Sequence, residues 1–197
     1  MPRTREENER IRQMTRDKVR TAATEVFVEQ GYHAASIEAI AAKAGISKGL
    51  LYSHYKGKEA LLEEMAQQRA AEIAAVMQAS LALSDPRAQL RSIVDGALDQ
   101  TAQQPELYRF FVHLQTQPEE DRVLGKYSLL LKREMSAQYD KQCRIFEALG
   151  APEPRIASLY FSSALQGAML MLSTYPSDYP LSRMKQEIMR QFASDSQ

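Results

Sequence analysis

Residues 36–55 read SIEAIAAKAGISKGLLYSHY and decide how the N-terminal part of the chain folds. Two short helices are predicted, one after Ser36 and one after Ser47, because serine is a favoured N-cap residue. The turn between them contains Gly45, and glycine tolerates the positive φ that such a tight turn requires. The apolar positions follow helical spacing and are expected to face inward: Ile37, Ile40, Ala41, Ala44 and Leu51. The pattern is typical of a helix-turn-helix.

The outer face of the second predicted helix carries small, basic and hydroxyl-bearing side chains. They are Ser47, Lys48, Gly49, Tyr52 and His54. Glycine allows a close backbone approach to DNA, lysine can reach a phosphate or a guanine edge, and hydroxyls can donate to phosphate oxygens. We therefore expect this face to bind double-stranded DNA. Each residue also has an ordinary structural role open to it, as a helix cap, a solvated lysine or a core aromatic.

A longer stretch, residues 19–62, resembles the tetracycline-repressor (TetR) family of bacterial transcription regulators. It contains A-A-x-x-x-F-x-x-x-G-Y, then S-I-x-x-I-A-x-x-A-G-I-S-x-G-x-L-Y-x-H-Y, and ends in K-x-K-E-x-L. The resemblance implies an all-α fold with an N-terminal three-helix DNA-binding domain and a C-terminal helical domain for effector binding and dimerisation. By position it implies DNA contacts at Tyr32, Ser36, Ser47, Lys48, Gly49, Tyr52, His54 and Lys58. Leu50 departs from the family pattern, where that position is frequently Thr, Ser or Ala.

Charge is distributed unevenly along a chain whose formal net charge is zero. Residues 1–58 hold eleven Lys and Arg against seven Asp and Glu, and the remainder holds fourteen against eighteen. A basic N-terminal segment followed by a mildly acidic remainder is expected when only one end of the protein binds DNA phosphates. Cys143 is the single cysteine, so no intramolecular disulfide can form and a reducing cytoplasm is the expected location.

The helical pattern continues through the whole chain and predicts about nine helices. We expect a charged arm over residues 1–14, the DNA-binding domain over 15–75 and the effector and dimerisation domain over 76–197. The charged N-terminal segment is either an extension of the first helix or an arm that reaches a minor groove through Arg3 and Arg5. Pro118 and Glu119 are expected to precede a long helix that reaches Leu149 and is stopped by Gly150. The uncharged stretch from Ile156 to Ser177 contains several Ser, one Thr and one Gln, which favours a buried helix over a membrane span.

The resemblance implies an effector pocket in the body and a dimer surface on the last two helices. Aromatic and methionine side chains are the pocket candidates: Met65, Tyr108, Phe111, His113, Leu114, Tyr127, Leu131, Phe146 and Met169. The uncharged helix after Ile156 is apolar all round, so it must be covered on one side by its own core and on another by a partner. The predicted dimer residues are Tyr160, Phe161, Ser163, Leu165, Gly167, Met184 and Ile188.

The predicted function is a ligand-responsive DNA-binding regulator, most simply a repressor that binds a palindromic operator as a homodimer. Two alternatives remain open: a regulator of the same fold that works without an effector, and an enzyme. With three histidines, one cysteine, no glycine-rich phosphate loop and no metal-spaced Cys/His cluster, neither catalysis, nor a cofactor, nor a metal is expected.

Overall fold

The computed structural model describes residues 4–193, and over these residues the backbone forms nine α-helices and no strand. The prediction of an all-α fold is confirmed. The helices are α1 Arg5–Gln30, α2 Ile37–Lys43, α3 Lys48–His54, α4 Lys58–Leu81, α5 Pro86–Gln103, α6 Pro105–Gln115, α7 Leu124–Ala148, α8 Pro154–Thr174 and α9 Leu181–Ala193. The chain divides into two compact units, Met1–Gln67 and Gln68–Gln197. We call them the head and the body. The boundary lies within α4, earlier than the expected boundary after residue 75.

The first helix of the head begins well before its apolar face does. Thr4 accepts a hydrogen bond from the Glu7 amide, and the Glu7 carboxylate accepts one from the Thr4 amide, which is a reciprocal capping box. Residues 5–14 of the expected arm therefore belong to α1. Arg3 lies outside the described residues. The buried side of α1 starts at Val19 and includes Ala22, Ala23, Val26 and Phe27.

The two short helices of the head are held by the serine caps that the sequence predicts. Ser36 accepts a hydrogen bond from the Ala39 amide and Ser47 accepts one from the Leu50 amide, each at 3.1 Å. Gly45 has a φ of 65°, which allows α3 to leave α2 sharply. Ile40 and Leu51 are fully buried between the helices.

The body differs from expectation at the start of α7. The helix begins at Leu124, because Asp121 accepts hydrogen bonds from the amides of Val123 and Leu124 and holds the preceding residues in a turn. The turn packs closely on the new helix. A Cβ at Gly125 would lie 2.5 Å from the carbonyl oxygen of Glu119, so only glycine fits there without a shift.

Helix α8 is the central helix of the body. Phe161 is fully buried and packs against Phe146 of α7 and Phe192 of α9, with ring centroids 5.8 Å and 5.3 Å apart. By length and composition α8 could also cross a membrane, and it is the one such helix among residues 4–193. Ser158 and Ser162 are buried and hydrogen-bonded to Gln142, as expected of a helix packed within protein.

Candidate DNA-binding face and ligand cavity

The outer face of α3 is exposed as the sequence predicts. Lys48, Gly49 and Tyr52 are all exposed, whereas Leu51 of the same helix is fully buried. Lys48 forms an ion pair with Glu38 of α2, and its ammonium lies 5.7 Å from the centroid of the Tyr52 ring. The hydrogen bond to Glu38 raises the pKa of Lys48. The face therefore presents a charged lysine beside the side chain of Tyr52. Because the ion pair between Lys48 and Glu38 is exposed to solvent, it holds the lysine only weakly.

The side chain of Lys58, which the resemblance places at DNA, is engaged within the head in this structure. Its ammonium donates to the backbone carbonyls of Tyr32, His33 and Ala35 at 2.9, 2.8 and 2.9 Å. An ammonium has three donors, so these bonds use all of them. The helix start does place Lys58 where the family pattern puts it, but its role in this structure is to fasten the segment between α1 and α2.

Tyr32 is likewise part of the head core, which corrects its expected exposure to DNA. The side chain is buried, its ring lies 5.4 Å from that of Phe27, and the Lys58 ammonium sits 4.8 Å from its centroid. His54 is half-buried and its ring lies 6.4 Å from that of Tyr55. Tyr55 is core and donates to Glu64 at 2.8 Å, and burial raises the pKa of its hydroxyl.

A cavity of about 650 Å³ lies within the body. Its volume falls in the range of about 300–1,000 Å³ typical of small-molecule sites. Four of the predicted pocket residues line it, namely Tyr108, Phe111, Leu131 and Met169. The other five do not line it: Met65, His113, Leu114, Tyr127 and Phe146. Met65 belongs to the head, His113 is exposed, and the remaining three are buried in the packing of the body.

The polar part of the cavity wall was not predicted from the sequence. Its side chains include Arg69, Gln100, Gln115, Gln138, Tyr139, Gln142, Ser162 and Gln166. A signal was present, since Gln138 and Gln142 on α7 and Ser162 and Gln166 on α8 are each spaced by one helical turn. Without the positions of the other helices, those residues are indistinguishable from ordinary surface positions.

Arg69 is the most deeply buried charged group in the wall, and its charge is balanced by Glu72. It donates to Gln100 at 3.0 Å, lies 3.6 Å from the Glu72 carboxylate, and its guanidinium carbon is 5.8 Å from the centroid of Phe111. Burial lowers its pKa and Glu72 opposes that effect. Burial also raises the pKa of Tyr108 to about 12, so this hydroxyl stays neutral.

The predicted dimer residues divide between two sides of α8. Phe161 and Leu165 are buried in the body's own core, which corrects their assignment to a partner surface. Tyr160, Ser163 and Gly167 are exposed, and a Cβ at Gly167 would meet no atom within 4 Å. On α9, Ile188 is buried and Met184 is half-buried. The exposed side of α8 is apolar and uncharged from Ile156 onward: Ile156, Leu159, Tyr160, Ser163, Gly167 and Met171. We call it the α8 outer face. Gly167 also lines the cavity, as does the exposed Leu170.

Comparison with known proteins supports the assignment made from the motif. Residues 19–65 match the family model described as bacterial regulatory proteins, tetR family. The HTH-type transcriptional activator FasR of Mycolicibacterium smegmatis is 36% identical over 107 residues, which are 52% of this chain and 49% of FasR. The match therefore spans about half the length of that relative.

Two solved structures show the same fold at low sequence identity. The TetR family transcriptional regulator PfmR from Thermus thermophilus is 20% identical, with a TM-score of 0.67 over 91% of this chain and 99% of that one. The transcriptional regulator FadR from Bacillus subtilis, in complex with stearoyl-CoA, is 17% identical, with a TM-score of 0.65 over 91% and 98% of the two chains. Residues 19–65 therefore carry a TetR-type helix-turn-helix segment, and the helical fold of the chain resembles that of TetR-family regulators.

Proposed function

We propose that this chain is a DNA-binding transcription regulator that acts as a homodimer and responds to a small-molecule effector. The observation that carries the proposal is the exposed face of α3, where Lys48, Gly49 and Tyr52 stand clear of the head core on a helix-turn-helix matched to the family. A recognition helix enters the major groove through such a face. Repression of a palindromic operator, relieved by the effector, is the simplest form of this function.

The cavity of the body supports an effector over constitutive regulation. A space of about 650 Å³ with both apolar and polar lining has the size and the mixed wall expected of a small-molecule site. The related fold of FadR is known in complex with stearoyl-CoA. The relatives that match this chain are named as regulators, which supports a non-enzymatic role in the cytoplasm.

The α8 outer face supports a second copy of this chain as the partner. Apolar residues with no charge among them suit a twofold contact in which the same residues meet across the axis. Ser163 and Gly167 are four residues apart and small, so two helices could approach closely there. A charged partner would leave its own charges buried against this face without counter-ions.

The DNA-binding part is tested with an operator selected in vitro from random duplexes and measured by fluorescence anisotropy. Lys48→Ala should weaken cognate binding by roughly 1–3 kcal/mol and reduce the ratio of cognate to random affinity. Lys141→Ala in the body is the matched control and should leave both affinities unchanged. Failure to enrich any duplex, or an unchanged ratio in Lys48→Ala, would count against this function.

The dimer part is tested with two leucines of nearly equal exposure. Leu159 on the α8 outer face is 42% exposed and Leu83, after α4, is 41% exposed. Leu159→Glu should yield a folded monomer in sedimentation at micromolar concentration, because an unpaired charge would be buried at the contact. Leu83→Glu should remain dimeric. A wild-type monomer, or a dimer in both variants, would contradict the assignment.

A further inference from the structure

The part of the cavity wall formed by α7 and α8 has more hydrogen-bond donors than the protein satisfies. Gln138, Tyr139 and Gln142 line the cavity from one turn of α7, and Ser162 and Gln166 line it from α8. We call the three α7 residues the donor cluster. Their partners can be followed atom by atom.

Gln142 has its oxygen occupied and its amide hydrogens unused. Ser162 donates to Gln142 Oε1 at 2.7 Å, and Ser158, which also lies 3.0 Å from the Tyr139 carbonyl, reaches the same oxygen at 3.2 Å. Gln142 is buried, so this orientation is set by two serines on α8. No acceptor among residues 4–193 bonds to the Nε2 hydrogens of Gln142. Gln142 is one of the residues that line the cavity.

Tyr139 and Gln138 also have hydrogen-bond donors without acceptors. The Tyr139 hydroxyl accepts from Gln166 Nε2 at 3.2 Å, which leaves its own O–H available to donate. Gln138 Nε2 is buried, and no acceptor among the described residues bonds to it. A buried donor without a partner destabilises a folded protein, and such groups are rare enough that each requires an explanation. Gln138 Nε2 is covered by protein atoms, so the donors left for an acceptor in the cavity are the Tyr139 O–H and Gln142 Nε2.

The wall around the donor cluster contains no counter-charge for an anion. The two cations in the lining are Arg69, already bonded to Gln100 and near Glu72, and Lys132, which is exposed and 3.3 Å from Glu119. A carboxylate buried against amides and a phenol would lose hydration without an ion pair. An uncharged oxygen acceptor meets the two donors at lower cost.

We infer that the cavity binds a largely apolar, uncharged molecule through a carbonyl-type oxygen that accepts hydrogen bonds from the Tyr139 hydroxyl and the Gln142 amide. The inference rests on the proposed effector function and names the chemistry of the effector. The apolar remainder of the ligand lies against the aliphatic, methionine and aromatic part of the lining, which includes Ile73, Val76, Phe111, Met135 and Leu170.

The first experiment measures probe binding to the full chain by calorimetry. Benzophenone and diphenylmethane have closely similar shapes and differ in the carbonyl oxygen, and diphenylacetate supplies the carboxylate. Benzophenone should bind about tenfold more tightly than either of the others, as expected for hydrogen bonds to an otherwise unsatisfied donor. Gln142→Met should remove that preference, and Gln78→Met, an exposed site on α4, should retain it.

The second experiment needs no ligand. Gln138→Met replaces the unpartnered amide with an apolar side chain of similar length and should raise the melting temperature of the free protein by about 2–4 °C. A glutamine with a purely structural role would give a fall instead. The same variant should keep the preference for benzophenone, because Gln138 Nε2 is covered by protein atoms and does not reach the ligand.

Several results would overturn the inference. These are no binding of benzophenone, equal binding of diphenylmethane, or tighter binding of diphenylacetate. All of these measurements are made on the full chain without DNA. A loss of operator binding would therefore refute the proposed function separately and would leave the ligand chemistry standing.

Discussion

Replacing Lys58 by methionine tests how the head is held together. Methionine keeps an unbranched apolar stem and removes the ammonium that joins the carbonyls of Tyr32, His33 and Ala35. A hydrogen bond to a charged group contributes about 1.5–3 kcal/mol to stability. The three bonds of Lys58 contribute less than three times this amount, because they share one ammonium and are partly exposed to solvent. We therefore expect the free energy of unfolding of the head to fall by roughly 2–4 kcal/mol, well short of three full contributions.

The assay combines urea denaturation, followed by circular dichroism, with operator binding at several salt concentrations. Lys56→Met, two residues earlier and exposed, is the matched control and should leave stability unchanged. A lysine bound to phosphate would lower the slope of log affinity against log salt by about one unit when removed. If Lys58→Met is as stable as the wild type and lowers that slope, the internal role of Lys58 is refuted. If it is less stable and the slope of the folded protein is retained, the role holds.

Further predictions concern the DNA face, the α7 turn, alkaline stability and switching. Glu38→Gln frees Lys48 from its ion pair and should tighten operator binding in anisotropy titrations without changing the melting temperature appreciably; weaker binding would contradict the placement of Lys48 at DNA. Gly125→Ala should destabilise the body by about 1–3 kcal/mol in urea unfolding, because its Cβ would press on the Glu119 carbonyl. Burial raises the pKa of Tyr108 to about 12, so its contribution to stability is complete below the unfolded pKa of about 10 and is lost as the pH rises toward 12; Tyr108→Phe should flatten that part of the stability–pH curve. Finally, any effector that weakens operator binding must itself bind the operator-bound protein more weakly by the same factor, and equal affinities in the two states would exclude it as the switch.

The local features of the head were determined by the sequence alone. Serine caps at Ser36 and Ser47, a glycine in the turn and apolar residues at helical spacing act between neighbours in the chain, so they can be read without a structure. The same local character explains why the exposed face of α3 was predicted correctly. The number of helices could be predicted for the same reason, because Gly31, Gly57, Gly150 and the prolines are local signals of helix ends.

Tertiary structure decided which partner each side chain has. Lys58 meets carbonyls more than twenty residues away, and no pattern along the chain encodes such a meeting. On α8, periodicity identified apolar residues on every side, but only the packing of α5, α7 and α9 decided that Phe161 lies inside and Tyr160 outside. The donor cluster arises in the same way, because an amide is satisfied or left unsatisfied by atoms on other helices, and hydrogen bonds form between neighbours in space irrespective of their separation in sequence.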